Sequence, residues 1–122
     1  MKTVYHLTQC GTCQRIIRDL KLVERGFELR DIKLQPIQPA ELDQFREKTG
    51  SYDSLFSRRA IKYKTLGLKN QILKEDDLRA LILEDYTFLK RPVIIIGDEV
   101  FAGNEQKTLE RIAVRLQSKE SA

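Results

Sequence analysis

The chain has 122 residues, of which 41% are apolar and 33% charged, with a net charge of +4 at neutral pH. That composition excludes a disordered segment; no apolar run approaches the roughly 20 residues that span a bilayer, and so small a charge does not by itself argue for nucleic acid. The chain therefore reads as a single domain over residues 1–122, monomeric, with neither a membrane nor a nucleic acid as direct partner.

Residues 2–7 read as a first strand and residues 11–25 as a first helix, whose apolar positions 16, 17, 20 and 23 repeat at helical spacing. Gly26 suits the end of that helix, where a left-handed residue is favoured. Phe27–Ile32 alternates apolar and polar and predicts a second strand, which makes a βαβ unit with parallel strands. Pro39 opens a helix to Lys48 with Leu42 and Phe45 inward, and Gly50 ends it. Residues 52–68 fit short helices separated by turns, and Lys74–Glu84 fits a helix with its acidic residues in the first turn. Arg91–Ile96 and Glu99–Ala102 flank the turn Gly97-Asp98 and predict a hairpin, its apolar run 93–96 buried on both faces. A last helix covers 105–116, and a frayed tail is expected over 118–122. This order, βαβ, helices, then ββα, predicts an α/β thioredoxin-like fold around a mixed four-stranded sheet, with a helical insertion at about 39–84.

Cys10-Gly11-Thr12-Cys13 sits where the first strand gives way to the first helix. First-turn N–H groups lack intrahelical partners and the helix dipole favours negative charge there, so a thiol at that place ionises readily. Cys13 lies one helical turn on, within reach of Cys10 to resolve a mixed disulfide. The alternatives are a pair of inert buried thiols or half of a zinc site. Zinc needs four ligands, and the chain offers no third cysteine and only His6. No metal is expected. A reducing compartment favours catalytic over structural cysteines, and with no secretory signal visible the cytoplasm is the expected location. His6, at the end of the strand, reads either as tuning the site or as a hydrogen-bonded core residue. Arg58, Arg59, Lys62, Lys64 and Lys69 form a basic cluster and Lys90-Arg91 a second. An arginine offers a forked donor that suits an oxyanion or carboxylate, a geometry lysine cannot match.

These motifs together resemble the arsenate reductase and Spx family of bacterial proteins. Tyr5-His6 with Cys10-Gly11-Thr12 is similar to the active-site opening of the glutaredoxin-coupled arsenate reductases, and Cys13 to the second cysteine of Spx-type regulators. Phe56-Ser57-Arg58-Arg59 before Tyr63-Lys64-Thr65-Leu66-Gly67-Leu68, and Leu89-Lys90-Arg91-Pro92-Val93-Ile94, resemble the family's two arginine-bearing segments. The resemblance implies Cys10 as nucleophile, Cys13 as resolving cysteine and His6 as a residue that helps ionise Cys10. It implies an oxyanion site of Gly11, Thr12, Arg59 (with Arg58 as the alternative) and Arg91, forked donors for an oxyanion or carboxylate, and a cis peptide before Pro92. The implied activity is a thiol-dependent oxidoreductase acting on an oxyanion or disulfide, with no bound cofactor and with glutathione, glutaredoxin or thioredoxin as reductant. The alternative it implies is a redox-sensing regulator that binds RNA polymerase and uses Cys10 and Cys13 as a disulfide switch. The reductases carry a third arginine where this chain has Ala102-Gly103-Asn104, so arsenate turnover is expected to be weak.

Overall fold

The computed structural model describes residues 1–117; the expected fraying of 118–122 lies outside them. The chain forms two compact units, one from residues 1–31 together with the part from 91 onward, the other from residues 32–90.

The first unit carries the sheet. Strands β1 (Lys2–His6), β2 (Glu28–Asp31), β3 (Val93–Ile96) and β4 (Glu99–Ala102) stand in the order β2-β1-β3-β4. β1 pairs parallel with β2 and antiparallel with β3, which pairs antiparallel with β4. The sheet is thus mixed, as the element order predicts. Helix α1 (Gly11–Asp19) makes the crossover from β1 to β2, and α5 (Gln106–Gln117) follows the hairpin. All four residues of β3 are buried, in keeping with a central strand covered on both faces. Val4, Ile16, Ile17, Leu22, Ile94 and Ile112 lie at the heart of this unit's core.

The first helix is shorter than its periodicity predicts. It stops at Asp19, and Lys21 takes a left-handed conformation at φ +53°. Lys21 N–H donates to the Arg18 carbonyl and Leu22 N–H to that of Ile17, both at 3.0 Å, the paired bonds of a Schellman cap. The cap turns Leu22 fully into the core and leaves Val23, expected inward, 56% exposed. Gly26, at φ +88°, closes the following turn rather than the helix.

The second unit is helical. It contains α2 (Pro39–Thr49), α3 (Ile61–Thr65) and α4 (Glu75–Glu84), with single 3-10 turns at Asp53–Leu55, Leu68–Asn70 and Tyr86–Phe88. Gly50 caps α2 in the left-handed region at φ +99°. The Asp43 carboxylate of α2 accepts from the Arg79 Nε of α4 at 2.8 Å and from the Tyr52 hydroxyl at 2.5 Å. Phe56 stacks on Phe88 with 5.2 Å between ring centres. The chain either side of them is tied by Ser57 N–H to Phe88 O and Lys90 N–H to Leu55 O. The helix α3 is too short to bury a stripe, and Ile61 and Leu66 face solvent.

Candidate functional site

β1 ends at His6, and the four residues that follow are held from both sides. Thr8 donates its N–H and its hydroxyl to Asp31 Oδ2, at 3.0 and 2.6 Å, which fastens the loop to the end of β2. The Leu7 carbonyl accepts from Cys10 N–H at 3.0 Å and from the Gln14 side chain at 2.9 Å. The chain is thereby turned into α1 with Cys10 as its N-cap, in extended conformation at φ −87°, ψ 107°. A cap residue's side chain ordinarily accepts from the first-turn amides. Here the acceptor is sulfur: Cys10 Sγ receives Cys13 N–H at 3.4 Å.

The two thiols are placed in opposite surroundings. Both are free, Cys10 half-buried and Cys13 fully buried. Burial raises the Cys10 thiol, but the Cys13 S–H and N–H and the nearby Arg91 guanidinium together outweigh it, so Cys10 ionises below the ordinary thiol value. Burial pushes Cys13 up to about 12, reinforced by its donation to Cys10 and by the adjacent sulfur charge. A negative charge at this spot rests on Cys10, with Cys13 as the proton-bearing neighbour that stabilises it. Arg91 is brought to Cys10 by the start of β3, and the Arg91–Pro92 peptide is cis.

Gly11 is exposed at the first helical position with nothing within 4 Å of where a side chain would begin, and Thr12 beside it is half-buried. His6 is buried, and its Nδ1 lies 3.2 Å from Gln14 Nε2. Cys10, Cys13, Gly11, Thr12, His6 and Arg91 therefore all belong to the sheet-bearing unit. Arg59 belongs to the helical unit, on the exposed turn after Phe56, where its N–H donates to Ser57 Oγ at 3.3 Å. Arg58 is committed to Asp53 at 2.8 Å and lies over the Phe56 ring. Gly103 has φ +94°, so the position nearest the absent third arginine disfavours any side chain. Among the described residues no group of three or more histidine, cysteine or acidic side chains could hold a metal ion, and no helix is long and apolar enough to cross a membrane.

The sequence reading passed over two contributors, Gln14 and Asp31. Gln14 carried a signal, as an amide on the first turn beside the cysteines; Asp31 carried none, because its tie to Thr8 depends on the register of β1 with β2.

The chain is similar to several known proteins. The profile of the ArsC family matches residues 5–112. The uncharacterized protein YusI of Bacillus subtilis is 31% identical over 113 residues, covering 88% of this chain and 94% of that protein. The global transcriptional regulator Spx of the same organism is 27% identical over 116 residues, covering 94% of this chain and 88% of Spx. The solved structure of a possible arsenate reductase from Streptococcus mutans UA159 shares the fold, with a TM-score of 0.74, 24% identity, and coverage of 92% of this chain and 97% of that one.

Proposed function

The chain belongs to the ArsC family, and from that premise we propose that it is a cytoplasmic thiol-dependent oxidoreductase with Cys10 as nucleophile and Cys13 as resolving cysteine. The observation that carries this reading is the split between the two thiols. One is reachable and easily ionised at a helix N-terminus, and the other is buried and held protonated one turn behind it. Low-pKa cysteines of this kind act as nucleophiles.

In the disulfide reaction the Cys10 thiolate attacks one sulfur of the substrate, which breaks its S–S bond and expels the other half as a thiolate. The Cys13 thiol loses its proton and attacks Cys10, forming the Cys10–Cys13 disulfide and releasing the first half as a second thiolate. Two electrons from glutathione, glutaredoxin or thioredoxin then restore both thiols. For an oxyanion substrate, Arg91 is the proposed forked donor, with the first-turn amides at Gly11 and Thr12 as further donors.

The alternative is an Spx-like regulator that binds RNA polymerase, favoured by the 27% identity with Spx over 94% of the chain. The absence of an arginine at Ala102-Gly103-Asn104 also weighs against arsenate as the main substrate. The deciding experiment measures turnover of a small disulfide and of arsenate, each with glutathione and glutaredoxin, beside a pull-down with purified RNA polymerase. Disulfide turnover well above arsenate turnover is the expected result. Installing Ala102→Arg, at a position without the left-handed backbone of Gly103, is expected to raise arsenate turnover alone. Redox-dependent polymerase binding with no thiol transfer would overturn the enzyme reading.

A further inference from the structure

Gln14 sits where the end of β1, the cysteine loop and the first turn of α1 meet. Its Nε2 lies 2.9 Å from the Leu7 carbonyl oxygen and 3.2 Å from His6 Nδ1. A carbonyl oxygen can only accept, so the amide must present its NH2 group to Leu7. The same nitrogen carries a second hydrogen, and that hydrogen serves the ring. Nδ1 meets a donor and must offer its lone pair, which in a neutral imidazole puts the proton on Nε2. The opposite tautomer would set N–H against N–H. Rotating the amide would instead set its oxygen against the Leu7 oxygen. Either arrangement leaves polar groups unmatched around a ring that is only 6% exposed, where such mismatches are heavily penalised.

We infer that Gln14 is a positioning residue that locks His6 as the Nε2–H tautomer with its Nδ1 lone pair occupied. The catalytic consequence rests on the reading of Cys10 as nucleophile. A general base needs a free lone pair within reach of the proton it takes, and the locked ring has none. His6 shapes the wall behind the cysteine loop, and Cys10 reaches its thiolate form through the α1 terminus, the Cys13 donors and Arg91. This narrows the part that resemblance gives His6, from helping to ionise the thiol to holding its surroundings.

The chain has one histidine, so a long-range proton–nitrogen correlation spectrum of the 15N-labelled protein near neutral pH shows a single ring. The expected spectrum has a pyridine-like Nδ1, a pyrrole-like Nε2 and one dominant tautomer. Gln14→Met, which keeps the length and removes the donor, should shift both resonances toward tautomer-averaged positions. Gln14→Glu, which keeps the shape but only accepts, should move the proton to Nδ1. A wild-type ring that is averaged or protonated at Nδ1 would overturn the lock, as would an unchanged spectrum in both folded variants. The wild-type spectrum can overturn the lock even where a variant does not fold. It also separates the two readings: a dominant Nε2–H ring in a protein whose Cys10 reacts no faster than Cys13 would support the lock and remove the nucleophile assignment.

Discussion

Arg91→Gln removes the guanidinium beside Cys10 while keeping much of its length and an amide donor. Arg91 favours the thiolate by charge and by hydrogen bonding. A hydrogen bond to a charged group is worth about 1.5–3 kcal/mol, and because Cys10 is only half-buried the lower figure applies. The Cys10 midpoint should therefore rise, and at about 1.4 kcal/mol per factor of ten that hydrogen bond corresponds to about a tenfold loss of thiolate at a fixed pH below it. A more basic thiolate is also a better nucleophile, with a Brønsted slope of about 0.4–0.5. These effects oppose one another on the acid limb and separate on the alkaline one. Below the midpoint the tenfold loss of thiolate is offset by a roughly threefold gain in its reactivity, for a net slowing of about three- to fourfold. Above it the plateau should run about threefold faster than wild type. Stopped-flow release of pyridine-2-thione from dipyridyl disulfide, followed from about pH 4 to about pH 10, reads both limbs. An unchanged midpoint, or an equal slowing of both limbs, would show that Arg91 does not hold the Cys10 charge.

Two further outcomes are expected. Cys13→Ala should trap the substrate half on Cys10 as a stable mixed disulfide, seen as added mass on the intact protein, and should raise the Cys10 midpoint because the S–H donor is gone; rapid loss of the trapped group without added reductant would contradict the resolving role. Asp43, held down to about 2 by its hydrogen bonds from Arg79 and Tyr52, contributes stability above the ordinary carboxyl value of about 3.9 and loses it as pH falls from there toward 2. Asp43→Asn should therefore lower stability at neutral pH and flatten the acid limb in that window, measured by urea unfolding; parallel pH profiles for variant and wild type would refute it.

The elements that periodicity foretold are those whose apolar faces are local in sequence. β3 announces itself by Val93–Ile96, and α5 by Leu109, Ile112 and Leu116, because each buries what its own spacing aligns. The end of α1 was not legible. A lysine occupies the left-handed cap where the reading looked for glycine, and what holds it there is Leu22 entering the core, a tertiary cause. At the site, strand–helix context was enough to single out Cys10 and Cys13. Spacing alone could not tell which would be exposed, since that depends on how α1 rolls against the sheet. The Gln14–His6 contact spans eight residues across a turn, and neither helical nor strand period brings such a pair together.

Cys10 is the first fastening of α1, and if it is also the nucleophile proposed above the two duties compete. Sulfur at 3.4 Å from the Cys13 amide is a loose clasp for a helix that could have had an oxygen there. Replacement by serine would keep the clasp, tighten it and silence the chemistry, whereas alanine would forfeit both and let the first turn fray. The serine variant is therefore the cleaner blank for every assay of this protein, and it should prove sturdier than the chain it replaces. On the proposed reading, the chain gives up part of its helix's grip so that one atom can leave the role of clasp and bond elsewhere.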